Sequence, residues 1–352
     1  MVTRFFRNAL PTLLLLCASA ASSDAIAEST ALKVGVLKFG TVNWQLDSLK
    51  FNAFDSAQSL DLEVVALASK NATSVALQAG NADMIVSDWI WVNRQRAGGE
   101  DFVFVPYSNA LGALVLGPDS AVTDVTGLKN KKIGIAGGPV DKNWLLLRAW
   151  TRKFHGFDIA DSAEAIFAAP PLLNEQLRTG RLDAVLTFWP YAARLEAGGA
   201  TRLFDVSDLV KDLGVTQPTA LIGYVFRERL LNERPGAVEA FFGAVSATNV
   251  LLEKSDSEWK RLRPAMRAKS DAEFEALKSG FRQGMAMPFA GAEEGGEDQD
   301  RDRKDAELLF GILATVGGEK LVGRNVTFDP NTFWTPETSK PDSMTPDTPE
   351  AK

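Results

Sequence analysis

The chain has 352 residues and carries 45 Asp and Glu against 38 Lys and Arg, a formal net charge of −7 that argues against nucleic acid as a partner. One histidine, His155, and one cysteine, Cys17, leave no histidine pair for a metal site and no Cys/His dyad. No metal ligand set, cofactor or catalytic residue is therefore expected, and the length exceeds what one hydrophobic core serves, so two domains are expected.

In chain order, Arg4 and Arg7 precede an apolar stretch from Ala9 to Ala21 and the tripeptide Ala25-Ile26-Ala27. This is the layout of a secretory signal with an A-x-A cleavage site. A membrane span needs roughly 20 apolar residues, and this run is soon broken by Ser22, Ser23 and Asp24. Residues 1–27 are expected to be removed near Ala27 on export to the periplasm. Cys17 leaves with them, and 36 basic against 44 acidic residues remain, a net charge of −8. Disulfides and thiol nucleophiles are thereby excluded from the mature chain.

Leu32 to Leu37 predicts a buried strand, Leu46 to Leu60 a helix, and Leu62 to Leu67 a second strand, a βαβ opening. A helix over Ser74 to Ala79 and the turn Gly80-Asn81 lead to a strand from Ala82 to Val86, which delivers Ser87, Asp88 and Trp89 at its end. Phe102 to Val105 and Leu111 to Leu116 are further strands, with a crossing to a second lobe expected at 114–118. A similar unit follows: a strand at Lys132 to Ala136, the turn Gly137 to Val140, a helix capped by Asp141 and stopped at Gly156, a strand at Ala165 to Ala168, a helix from Leu172 to Thr179 and a strand from Ala184 to Phe188. Thr219 to Phe226 is read as the return strand. The remainder is helical, over Pro235 to Leu252, Ser257 to Met266, Asp271 to Gly280 and Asp305 to Thr315. The acidic run Glu293 to Asp305 is expected to be a solvated loop. Thr335 to Lys352, rich in Pro, Thr and Ser, is expected to be a disordered tail.

Alternating strands and helices imply α/β lobes with mostly parallel sheets, which bind ligands beyond the carboxyl ends of their strands. The candidate ligand contacts are the residues placed there: Thr41, Asn43 and Trp44; Ser87, Asp88 and Trp89; Gly138, Pro139, Asp141, Lys142 and Asn143; and Phe188, Trp189 and Tyr191. Hydroxyls, amides, two carboxylates, one ammonium and large aromatics fix a small molecule without reacting with it. Each has a plainer role: the tryptophans as core, Asp88 and Asp141 as helix caps, and Lys142 as a solvated first-turn lysine. The ligand's charge stays open. Aromatics with Asp88 and Asp141 suit an organic cation, whereas Lys142 and the helix N-termini suit a sulfonate or carboxylate.

Four stretches carry a likeness. Gly80-Asn81-Ala82-Asp83-Met84 resembles "G-x-A-D-I", Leu128 to Gly134 resembles "L-K-G-K-K-I-G", and Leu177 to Ala184 with Pro190 to Leu195 resembles the pair "G-x-x-D-A" and "W-E-P-Y-A-A-R-L". Over 32–252 the chain is similar to the nitrate, sulfonate and taurine class of periplasmic substrate-binding proteins that feed ABC importers, with thiamine-pyrimidine-precursor binders among the relatives. The resemblance implies a type II periplasmic binding protein fold with two crossover hinge strands. Its lobes would be 28–114 with 220–334, and 115–219. It also implies a small organic ligand, sulfonate-, amine- or pyrimidine-like, an ABC permease with its cytoplasmic ATPase as partner, and a monomer that is not an enzyme. The family's pocket would fall on the same strand-end loops. Departures are Phe188 where the family often has Trp, Trp189 where it often has Glu, and Asn130 for a Gly. Specificity is therefore expected at Trp189. The alternative is an accessory protein that delivers a metal ion or cofactor to a periplasmic enzyme, suggested by the acidic run.

Overall fold

A computed structural model describes residues 29–216, 220–285 and 297–334. The expected signal segment, the tail and residues 293–296 of the acidic run lie outside the described residues. Strands β1 (Thr30–Leu37), β2 (Leu60–Leu67), β3 (Met84–Asp88) and β4 (Phe102–Ser108) come first. Then follow β5 (Gly112–Leu116), β6 (Lys132–Ala136), β7 (Glu164–Ala168), β8 (Ala184–Phe188) and β9 (Thr201–Asp205), and the series ends with β10 (Ile222–Arg227). They form two five-stranded sheets, ordered β2-β1-β3-β10-β4 and β7-β6-β8-β5-β9.

Each sheet is parallel except for one inserted strand, β10 in the first and β5 in the second. The chain leaves the first sheet after Ser108 and enters the second at Gly112. This passage lies upstream of the expected 114–118, because Leu114 and Val115 are already paired on both sides, with β8 and β9. Gly112 permits the entry: a Cβ there would lie 2.3 Å from the Thr187 carbonyl oxygen.

The helices of the first lobe are α1 (Val42–Phe51), α2 (Phe54–Ala57), α3 (Lys70–Gln78) and α4 (Trp89–Arg96). The second lobe carries α5 (Lys142–His155), α6 (Ile159–Ser162), α7 (Pro170–Arg178), α8 (Trp189–Glu196) and α9 (Val206–Asp212). After the return come α10 (Leu230–Glu233), α11 (Ala237–Lys254), α12 (Asp256–Met266), α13 (Asp271–Gly284), α14 (Glu297–Gly317) and α15 (Glu319–Val322). Among the described residues no helix is long and apolar enough to cross a membrane.

The two lobes solve the same local problem with the same turn. After α3, Gly80 takes φ +73°, and the Asp83 carboxylate accepts the Lys33 N–H at 2.8 Å, fixing β3 beside β1. One hundred positions on, Gly180 takes φ +68° and Asp183 accepts the Lys132 N–H, also at 2.8 Å. The Gly-x-x-Asp pattern thus has a mechanical cause: glycine tolerates the left-handed backbone, and the carboxylate satisfies the first free donor of the neighbouring strand.

The acidic run differs from its expected loop, since 297–305 open α14. The segment has no apolar periodicity to read, yet acidic residues at a helix start complement its dipole. Asp305 is 6 % exposed and accepts from both the Thr216 N–H and its hydroxyl, each at 2.9 Å. Helix α14 packs on α5 of the second lobe, and α15 packs on α4 of the first. Leu309, Phe310 and Leu313 accordingly join a continuous core that holds Ile85, Trp89 and Phe104 from one lobe and Leu114, Ile133 and Leu145 from the other.

Candidate functional site

The carboxyl ends of both sheets face one another across the gap between the lobes. Asp88 ends β3 and caps α4, its Oδ1 accepting the Trp91 N–H at 2.9 Å. Its other oxygen reaches the Lys142 ammonium across the gap at 3.0 Å and also the Lys70 ammonium at the start of α3. The Asp88 side chain is 1 % exposed, that of Lys142 17 % and that of Lys70 half-exposed. Burial by itself would raise the Asp88 carboxyl, but the two ammonium groups overcome it and hold the group well below the usual carboxylate range. Burial pushes Lys142 down from the ordinary lysine value, ahead of the upward pull of Asp88. Asp141 caps α5 by accepting the Asn143 N–H at 3.0 Å.

A second contact between the lobes is aromatic. Trp189, first in α8, lies edge-on to Trp44 with ring centroids 6.2 Å apart. Its ring sits so close to α13 that a Cβ on Gly280 would meet it at 2.8 Å. Trp44 is itself packed against Trp259 and Phe281 at 6.3 and 5.9 Å. One turn along α8, Arg194 pairs with Glu273 and donates to the carbonyls of Met266 and Arg267. A cavity of about 10 Å³ remains here, lined by Thr41, Tyr107, Ser108, Trp189, Phe281 and Met285. That is the volume of about one water, so the lobes are closed on each other.

The other expected contacts are placed as follows. The Thr41 hydroxyl lies 3.4 Å from the Tyr107 hydroxyl, and burial pushes that phenol far above its ordinary value, so it remains neutral. Asn43 donates to the carbonyls of Leu37 and Gly40, both at 2.7 Å, and so closes the loop after β1. Asn143 accepts the Gly112 N–H at 3.0 Å, tying α5 to the passage strand. Ser87 is buried with its hydroxyl unpartnered. Trp89 is fully buried against Phe310, Phe328 and Phe333. Gly138 takes φ +105° in the turn before Asp141, and Pro139 is exposed. Phe188 packs at the edge of the second lobe's smaller core, and Tyr191 is half-buried with its carbonyl accepting from Asn174.

The structure thus brings Thr41 and Trp189 to one cavity and Asp88 and Lys142 to one ionic cluster, while Asn43 serves its own lobe and Trp89 lies in the core that both lobes share. Sequence reasoning missed Lys70, Tyr107, Phe281 and Met285. Lys70 and Tyr107 stand at or near strand ends, at β2 and β4, and that signal was available. Phe281 and Met285 come from a helix far along the chain, and nothing local marks them.

The NMT1/THI5-like family model matches residues 54–253. The chain belongs to this family. No curated protein matches the sequence. Among solved structures, this NMT1/THI5-like chain is similar to the alkanesulfonate-binding protein of Xanthomonas axonopodis pv. citri bound to MOPS, with 19% identity over 88% of this chain and 99% of that one and a TM-score of 0.63. It is also similar to the periplasmic aliphatic sulphonate binding protein of Escherichia coli, with 18% identity over 87% and 94% of the two chains and a TM-score of 0.61. A ligand-binding component of an ABC-type import system from Staphylococcus aureus, solved with zinc bound, gives 15% identity, 88% and 97% coverage and a TM-score of 0.59. The fold is the two-lobed periplasmic binding protein fold, as expected from the strand order and the resemblance.

Proposed function

We propose that this protein is the solute-binding component of an ABC importer, exported to the periplasm, where it closes two lobes on a small organic molecule and carries it to a membrane permease. The observation that carries this reading is the cavity between the lobes. Its walls come from both lobes and from the two segments, at Ser108 and Met285, beside the passage between them. A pocket whose walls come from both lobes changes volume when they part, which is what capture and release require. Family membership and fold support the same reading, and the site residues offer hydrogen bonds and aromatic faces in place of a nucleophile and base.

The test is ligand-dependent stability and shape. Mature protein is screened by thermal shift against sulfonates, amines, pyrimidines and metal ions, because a ligand that binds only the folded form raises the midpoint. Small-angle scattering then follows the radius of gyration of the best candidate. The reading expects an organic solute to raise the midpoint and to reduce the population of open lobes. Stabilisation by calcium or a lanthanide alone, with no organic solute effective, overturns it in favour of the accessory role.

A further inference from the structure

Resting on that reading, we propose that the cleft is internally charge-compensated and selects an uncharged planar solute over a sulfonate, with Asp88 as the residue that sets this preference. Two ammonium groups in the gap, Lys70 and Lys142, would make a ready anion site, but both are directed at one oxygen of Asp88. That carboxylate cannot turn away without cost, because its other oxygen holds the Trp91 N–H at the head of α4. Asp141 adds a second carboxylate beside Lys142 at the head of α5. The formal sum of the four groups is zero.

An incoming sulfonate has two poor choices. If it takes Lys142 from Asp88, it leaves a carboxylate that is 1 % exposed deprived of one of its two cations, with a new negative charge close by. If it leaves the pair intact, it must lie in the aromatic part of the gap, where Thr41, Tyr107, Ser108, Trp189, Phe281 and Met285 supply no charge at all. The same aromatic part suits a flat neutral molecule. The Trp44 and Trp189 rings offer faces and edges, and the neutral Thr41 and Tyr107 hydroxyls, 3.4 Å apart, supply hydrogen-bonding groups. Lys38 and Arg267 carry positive charge at the first lobe's lip, but both are exposed beside the exposed Phe39 ring and are screened by solvent.

The experiment uses one molecular skeleton in two charge states. Benzenesulfonate and benzenesulfonamide are titrated by calorimetry into the mature wild type, into Asp88→Asn, and into Asp88→Asn/Lys142→Met. Asparagine keeps an acceptor for the Trp91 N–H, and circular dichroism checks that each variant is folded. The wild type is expected to bind the sulfonamide at least tenfold more tightly than the sulfonate. Asp88→Asn frees both ammonium groups and is expected to raise the affinity for the sulfonate at least tenfold, and the double variant is expected to lose most of that gain. A wild type that prefers the sulfonate overturns the charge inference while supporting solute binding. An Asp88→Asn variant whose sulfonate affinity is unchanged, including undetectable in both proteins, also overturns it. Failure of every solute class in the wider screen instead removes the binding-protein reading itself.

Discussion

Trp89 and Trp189 occupy the same place in two versions of one supersecondary unit, yet they have opposite roles. Each is the first residue of a helix that follows the third parallel strand of its sheet, and each is preceded by the Gly-x-x-Asp turn. Trp89 is wholly buried among Phe310, Phe328 and Phe333 in the core that both lobes share, whereas Trp189 crosses the gap to Trp44 and Gly280. The residue in front differs too. Asp88 caps its helix and holds two lysines, while Phe188 makes no side-chain cap and the helix start is stiffened by Pro190. One scaffold therefore supports both a core tryptophan and a contact between the lobes, and the difference lies in what the rest of the chain packs behind each tryptophan. Helix α14 and the segment after it cover Trp89. Trp189 is instead packed against the core of the first lobe.

The sharpest way to break this contrast is to truncate both rings. Trp89→Ala is expected to cost about 4 kcal/mol in urea unfolding, the range for a large buried aromatic. Trp189→Ala, half-buried and at a contact between lobes, is expected to cost about 1–2 kcal/mol while making the scattering profile more open. Equal costs would mean that the two tryptophans are equivalent core residues after all.

The next largest effect belongs to Asp88. Asp88→Asn leaves buried ammonium uncompensated and is expected to cost about 3 kcal/mol at neutral pH. The pH dependence has a definite sign. Asp88 has a depressed pKa in the folded state, so its stabilisation is complete above the ordinary aspartate value of about 3.9 and drains away as the pH falls below it. The gap between wild type and Asp88→Asn should therefore narrow on acidification below about pH 4, which thermal unfolding across that range checks. A gap that holds constant to pH 2 would contradict the assignment.

The two turn aspartates sharpen the comparison further. Asp83 also takes a two-pronged contact from Arg234, at 2.7 and 2.8 Å, whereas Asp183 has only a looser ion pair to Lys131 at 3.6 Å. Asp83→Ala is expected to cost about 2 kcal/mol and Asp183→Ala about 1 kcal/mol, measured by denaturant midpoint. Smallest is a pair of glycines inside helices. Gly311→Ala adds a methyl group to open space and is expected to stabilise by up to about 1 kcal/mol. Gly280→Ala drives the same group toward the Trp189 ring and should cancel that gain. Its readout is a red shift and stronger acrylamide quenching of tryptophan emission as the lobes part.

Much of the architecture was legible because its causes are local. The β1 pattern Leu32, Val34 and Val36, the Gly80-Asn81 turn, the Asp141 cap and the Gly156 stop after His155 each act over a few residues, and each stands where expected. The site was legible only in part. Strand-end loops located Thr41, Asp88, Lys142 and Trp189, but not which of them would meet. Phe281 and Met285 escaped because their place depends on how α13 docks after the return strand, and the helical part of the acidic run escaped because charged helices carry no hydrophobic period.

By itself, then, the amino-acid order determined two α/β units, their turns and the set of polar and aromatic groups at their open ends, since backbone preference and burial period are properties of short segments. Only the tertiary structure decided that Lys142 and Lys70 both turn to Asp88, that α14 bridges the lobes, and that Trp189 faces Trp44. Those contacts join positions from 18 to more than a hundred residues apart. Ion pairing and ring packing act through space at a few ångströms, and no short window of sequence contains both partners.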